Sequence, residues 1–194
     1  MVDPDACQGT LYDGNFDAML NLLLLRHAKS TWDDPTLDDF DRPLNKRGTK
    51  AASRIGRYLV ETGLRPTLVL CSTAVRTRAT LTLVMNELGL PAPHVRYEDS
   101  LYLADAETLF DAVRSAPPDA QAAMGPIMLV GHNPGMHALA LELTGSGARS
   151  TLSDLAMQFP TAALAHISFQ CDSWRDIAPA AGRIEAFILP RRLD

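Results

Sequence analysis

Three short apolar runs, each broken off by polar residues, constrain this chain more than any other feature. Residues 22–25 (L-L-L-L) run into Arg26 and His27, residues 67–71 (T-L-V-L-C) into Ser72 and Thr73, and residues 127–130 (I-M-L-V) into Gly131 and His132. An uninterrupted apolar run this short suits a strand covered on both faces, as in a parallel sheet between two layers of helices. The intervening segments supply those helices. Asn45 reads as the N-cap of a helix reaching Thr62, with Ala52, Ile55 and Leu59 at helical spacing and Gly63 as its stop. After the second run, Ser72 and Thr73 are placed to cap a helix whose Leu81, Val84, Met85 and Leu88 repeat at helical spacing before Gly89. After the third, Asn133 reads as an N-cap and Pro134 as the first helical residue.

The expected fold is therefore α/β: a single-domain, three-layer sandwich with a mainly parallel central sheet and helices on both faces. A length of 194 residues and 46% hydrophobic content fit one such core. The formal charge of -5 argues against a general nucleic-acid or membrane-surface binder, so an anion site has to be a local basic pocket on an acidic protein. Cys7, Cys71 and Cys171 have no metal-ligand or redox spacing, which predicts neither a zinc site nor a disulfide framework and suits a reducing cytoplasm. No basic n-region precedes the first apolar run, and no run approaches the ~20 residues that span a bilayer, so neither a signal peptide nor a membrane span is expected. Residues 1–18 carry Asp3, Asp5, Asp13 and Asp17 with little apolar periodicity and read as a loosely ordered acidic extension of a domain covering 19–194; Met19 is an alternative start.

Elsewhere the pattern is plainer. The Asp- and Pro-rich stretch 31–44 reads as a long loop after the first strand, with Trp32 offering an apolar contact to a pocket wall. An outer strand is expected at 94–97, a helix at 105–114, and a loop at Pro117 and Pro118. Residues 145–147 (G-S-G) read as a helix terminator and turn, and 162–169 and 183–189 as the last two strands. No internal repeat or linker follows residue 20.

In open α/β sheets the crevice outside the carboxyl ends of the strands collects residues distant in sequence. Here those ends offer Arg26 with His27, Ser72 with Arg76 near the start of the next helix, and His132. Arginine presents a permanently charged planar fork, and histidine is a competent neutral nucleophile near pH 7, a combination suited to phosphate chemistry. Arg78, two residues beyond Arg76, points elsewhere on the helix and is expected to be solvated. His94, His137 and His166 lie within expected strands or helices and are assigned to packing or surface. Neither G-x-x-x-x-G-K-[ST], G-x-G-x-x-G after a strand, nor G-x-S-x-G occurs.

R-H-A-K-S at 26–30, S-T-A-V-R at 72–76 and G-H-N-P-G at 131–135 resemble, in order and spacing, the three core motifs of the histidine phosphatase superfamily, the phosphoglycerate mutase-like fold. D-R-P-L at 41–44, S-L-Y-L-A at 100–104 and F-P-T-A-A-L at 159–164 are most similar to its short SixA-like phosphohistidine phosphatases, and the resemblance runs from about residue 20 to the terminus. It implies His27 as a transiently phosphorylated nucleophile, with Arg26, Arg76 and His132 gripping the phosphoryl oxygens and Ser72 among the substrate-binding groups, and neither metal nor cofactor. Asn133 stands where the acid phosphatase branch has aspartate, which disfavours that branch. The acidic residue used by the mutase branch stays open between Glu98, Asp99, Asp105 and Glu107. The implied substrate is a phosphorylated protein, such as a histidine-containing phosphotransfer domain in signal transduction. A small phosphomonoester metabolite is the alternative, and a non-catalytic module binding phosphorylated partners a third.

Overall fold

The computed structural model describes residues 19–89, 94–115 and 125–193. The acidic extension at 1–18 and the loop at Pro117 and Pro118 lie outside the described residues. The chain builds β1 (Met19–Arg26), α1 (Lys46–Glu61), β2 (Leu68–Ser72), α2 (Val75–Leu88), β3 (Val95–Glu98) and α3 (Ala106–Arg114) in its first part. The second part adds β4 (Ile127–Gly131), α4 (Gly135–Leu143), β5 (Thr144–Gly147), α5 (Arg149–Met157), β6 (Leu164–Gln170) and β7 (Gly182–Ile188).

One sheet holds these strands in the order β3-β2-β4-β1-β6-β7-β5. The pairs β3/β2, β2/β4, β4/β1 and β7/β5 are parallel, and only β6 runs against its two neighbours. The carboxyl ends of β1, β2 and β4 therefore meet at one edge, where the reversed β6 begins: Leu25 pairs with Val130 on one side and Leu164 on the other.

The unbroken apolar runs follow from burial on both faces. Leu22 and Leu24 join one core cluster with Leu109 and Val113 of α3 and Leu139 and Leu143 of α4. Leu23 and Leu25 join the opposite cluster, with Ile55 and Leu59 of α1 and Leu81 and Val84 of α2. All four leucines are fully buried, each contributing about 1.5–3 kcal/mol of transfer free energy before entropic costs. Among the described residues, no helix is long and apolar enough to cross a membrane.

The structure differs from the sequence expectation in four places. Neither Ser72 nor Thr73 caps α2, whose N-cap is Ala74 without a side-chain bond, because the Ser72 hydroxyl meets His132 at 2.8 Å and the Thr73 hydroxyl donates to Asp99 at 2.6 Å. The G-S-G stretch is not a turn but most of β5, paired with β7. Its glycines permit close backbone approach: a Cβ at Gly145 would lie 1.8 Å from the Ala180 carbonyl oxygen. The helix α5 was not expected, and its weak signal is understandable because Leu155 is its only fully buried residue. Finally, α4 starts at Gly135 without a side-chain cap, because the Asn133 side chain is diverted to the Phe159 carbonyl, donating through Nδ2 at 2.9 Å.

Candidate active site

The site grows from the end of β1. The His27 N–H donates to the Gly131 carbonyl at 3.0 Å, tying the end of β1 to that of β4, while Ala162 N–H donates to the His27 carbonyl at 3.0 Å. Ala28 N–H donates to Thr80 Oγ1 of α2 at 2.9 Å. The backbone under the imidazole is thus held from three sides. The ring is fixed as well: Nδ1 lies 2.8 Å from the Ala28 carbonyl oxygen, an acceptor only, so Nδ1 carries the proton and Nε2 keeps its lone pair.

His132 stands beside it, with ring centroids 5.2 Å apart. Its Nδ1 lies 3.3 Å from Arg76 Nη2, and since a guanidinium only donates, this nitrogen is the acceptor. Its Nε2 then donates to Ser72 Oγ at 2.8 Å. Ser72 is completely buried and stands behind His132, so it orients that ring. The Tyr102 ring closes the other side, perpendicular to His132 with centroids 5.4 Å apart.

Three guanidinium groups surround the imidazoles. Arg76, the second residue of α2, is only 3% exposed. Its Nη2 donates to Asp39 Oδ2 at 2.8 Å and its Nη1 to the Asp39 carbonyl. Arg26 donates through Nη1 to the Phe159 carbonyl at 2.8 Å. Arg42 donates to Asp39 Oδ1 at 2.7 Å, to the Thr31 carbonyl at 3.1 Å and to Ser30 Oγ. The Nε atoms of Arg26 and Arg76 are buried with no hydrogen-bond partner, an arrangement costly enough to need a reason.

Burial pushes the His27 imidazole down to about 4; its bond to the Ala28 carbonyl opposes this, and the Arg76, Arg26 and Arg42 charges, each a lesser effect than that bond, add to the lowering. Burial again, then His27 and Arg76, push His132 down to about 3. Both rings are therefore neutral near pH 7. Burial lowers Arg26 too, with help from Arg76. Burial alone would raise Asp39, but the Tyr102 hydroxyl at 2.8 Å and the Arg76 and Arg42 charges hold it below its usual value. Three guanidinium groups, one carboxylate and two neutral imidazoles leave a local charge of about +2, which complements a phosphoryl dianion.

The structure thus brings together Arg26, His27, Ser72, Arg76 and His132. It does not bring in the four acidic candidates. Glu98 pairs with Arg96 at 2.6 Å, Asp99 accepts from Thr73 Oγ1 at 2.6 Å, Asp105 caps α3 by accepting from Thr108 N–H at 2.9 Å, and Glu107 is exposed. The carboxylate that does enter is Asp39, from a loop that leaves at Ser30 and returns at Leu44 through an antiparallel bridge. Arg42 and Tyr102 were not singled out from the sequence either, although D-R-P-L and S-L-Y-L-A carry them. Trp32, 70% exposed, lies under Arg42, whose guanidinium carbon is 3.3 Å from the ring centroid. Among the other histidines, His137 meets the Leu155 carbonyl at 2.7 Å, His166 meets Asn21 Oδ1 at 2.8 Å, and His94 is exposed. No group of three or more His, Cys, Asp or Glu that could hold a metal occurs among the described residues.

The α/β sheet thus gathers two imidazoles and three guanidinium groups in one basic crevice outside its strand ends, on the phosphoglycerate mutase-like fold. Residues 22–102 match the model of the histidine phosphatase superfamily, branch 1. An uncharacterised protein of Mycobacterium leprae is 34% identical over 171 residues, covering 86% of this chain and 100% of that protein. The solved structure of a SixA from Nakamurella multipartitia superposes with a TM-score of 0.74 at 30% identity, covering 89% of this chain and 96% of that one. A SixA from Agrobacterium tumefaciens gives a TM-score of 0.70 at 32% identity over 88% and 97% of the two chains. This chain belongs to the histidine phosphatase superfamily.

Proposed function

We propose that the chain is a metal-independent phosphohistidine phosphatase acting on a phosphorylated protein partner, with His27 as its nucleophile. The observation that supports this most is the fixed tautomer of His27: Nδ1 is committed to the Ala28 carbonyl at 2.8 Å, leaving the Nε2 lone pair for attack. The lone pair forms an N–P bond as the bond from phosphorus to the substrate imidazole breaks, and that imidazole leaves neutral after taking a proton. The resulting phosphohistidine keeps its Nδ1 proton, and its positive ring is stabilised by the Ala28 carbonyl. Water then attacks phosphorus, the N–P bond breaks, and inorganic phosphate leaves with His27 neutral again. The unpartnered Nε–H groups of Arg26 and Arg76 are donors to the equatorial oxygens, fixed before the reaction begins.

The leaving group selects the substrate class. Alkoxide departure from a phosphoester needs a proton donor, whereas a protonated phosphoramidate nitrogen leaves without one. The acid within the described site is Asp39, and two arginines hold it as a carboxylate, which makes it a poor donor. A phosphohistidine-bearing protein should therefore be hydrolysed much faster than a chromogenic phosphomonoester. Faster hydrolysis of the phosphoester would move the assignment to a small-metabolite phosphatase, and binding without hydrolysis of either would make the chain a non-catalytic module.

A further inference from the structure

Beside the His27 site lies a second cavity, of about 440 Å³, whose lining includes Lys29, Lys46, Arg47, Lys50, Arg54 and Arg191 and no carboxylate. None of these six takes part in an ion pair among the described residues. On a chain of net charge -5, this is an unusual concentration of cations: Arg191 alone of the six acts on a nearby carboxylate, that of Asp154, and Arg54 donates only to the Pro190 carbonyl at 3.4 Å. Their arrangement works against local stability. Lys46, Lys50 and Arg54 stack at i, i+4 and i+8 on one side of α1, where like charges repel. The first turn of that helix contains no acidic residue, although the helix dipole there favours anions over lysine and arginine.

The cavity is physically joined to the catalytic segment. Lys29 follows His27 by two residues, so their Cα atoms are at most about 7.6 Å apart. The start of α1 rests directly on Lys29: Asn45 N–H donates to the Lys29 carbonyl at 3.0 Å, and a Cβ on Gly48 would lie 2.1 Å from that oxygen. On the far wall, Pro160 and Thr161 continue from Phe159, whose carbonyl holds Arg26. Leu189 and Pro190 complete an apolar wall beneath the cations.

We propose that this cleft docks an acidic segment of the protein substrate, next to the phosphorylated residue presented to His27. The proposal rests on the phosphatase reading above and names how the partner is held. An extended chain covers about 3.3–3.6 Å per residue, so carboxylates only two or three residues from the phosphorylated position reach Lys29 and the start of α1. Solvated cations outside any ion pair, as Lys29, Lys46, Arg47 and Lys50 are, attract such a segment at long range and set partner choice more than raw affinity.

A fluorescein-labelled, glutamate-rich dodecapeptide without phosphate tests the cleft directly by anisotropy. It should bind the full chain, weaken as salt rises, and bind at least about tenfold more weakly to the triple variant Lys46→Glu, Arg47→Glu, Lys50→Glu. Replacing cations at a helix N-terminus relieves an unfavourable dipole interaction, so the variant should fold with an undiminished Tm. His27→Ala should bind the peptide like the unaltered chain, which separates failure of docking from failure of the phosphatase assignment. In turnover, the triple variant should lower the ratio of kcat/KM between phosphohistidine peptides with acidic and neutral flanks, through KM. Absence of peptide binding, or equal binding by the triple variant, would overturn the proposal. So would saturation of the cleft by inorganic tripolyphosphate with no binding of the peptide, which would mark a small-polyanion site instead.

Discussion

The molecule carries two clusters of positive charge within a few residues of each other, and they are built in opposite ways. Around His27, Arg42 and Arg76 are buried and Arg26 half-buried, and each is held by a carbonyl or carboxylate at a defined distance. In the neighbouring cleft, Lys29, Arg47, Lys50, Arg54 and Arg191 are exposed and have no carboxylate among the residues lining it. Fixed guanidinium groups in a water-poor site stabilise charge in a transition state without reorganising. Mobile, solvated ammonium and guanidinium groups cannot do this, but they act over a Debye length and adapt to whatever anion arrives. The contrast separates chemistry from recognition: change in the first cluster should appear in kcat, and change in the second in KM and salt dependence.

The largest effect expected is at the centre of the first cluster. His27→Ala removes the proposed nucleophile and should lower turnover by about 10⁴-fold or more, as deletion of a nucleophile typically does. Acid-labile phosphate on the protein after incubation with labelled substrate should vanish with it. Appreciable turnover in this variant would break the division, because no other imidazole in the described site has a free nitrogen lone pair. Arg76→Ala should cost about 10²–10³-fold in kcat, the usual loss for one preorganised donor to a developing charge. A purely KM effect would place Arg76 with the recognition cluster instead.

A smaller, structural effect is expected behind His132. Ser72→Ala leaves the buried His132 Nε2–H without its acceptor at 2.8 Å, which should destabilise the protein by about 1–3 kcal/mol. Chemical denaturation measures the loss directly, and a reduced kcat with little change in KM would show that Ser72 orients the ring.

The buried imidazoles also give the native state an acid limit. Burial holds His27 at about 4 and His132 at about 3, against 6.5 for the unfolded chain. Between these values and 6.5 the unfolded state binds more protons, so stability should fall as pH drops through this window and be flat above it. The slope is on the order of 1.4 kcal/mol per pH unit for each imidazole. His27→Ala should remove about half of it, leaving the His132 contribution, and inorganic phosphate, binding only the folded site, should shift the denaturation midpoint upward. The cleft cations predict no such acid limit, so a slope unchanged in His27→Ala would weaken the contrast between the two regions.

The fold was legible because burial on both faces writes itself into sequence as unbroken apolar runs, and the three runs proved to be β1, β2 and β4. The residues at their ends were legible for the same reason. Asp39 was not, because its loop offers Asp33, Asp34, Asp38, Asp39 and Asp41 alike, and only the return of the chain at Leu44 selects the one that meets Arg76. Likewise, α5 buries too little to mark its helical face, and β5 is built from glycines whose role is close approach to Ala180. The basic cleft was not foreseen; the expected local basic pocket was the anion site at the strand ends. The members of the cleft come from Lys29, α1 and the segment after β7, and no linear motif joins them.

The smallest expected effect concerns an arginine that belongs to neither cluster. Arg78 lies two residues from Arg76 on α2, about 200° around the helix, and is exposed with its guanidinium carbon 5.4 Å from the centroid of the Tyr97 ring. An exposed cation–π contact is worth about 0.5–1 kcal/mol, and Tyr97 is an exposed residue of the edge strand β3. Arg78→Ala should therefore change kcat and KM by less than about twofold, within the range of ordinary surface substitutions. The comparison with Arg76→Ala is informative because composition, helix and net charge change are identical in the two variants. If both lost activity alike, helix stability or overall charge would account for the effect, and burial against His132 and Asp39 would not be what makes Arg76 catalytic.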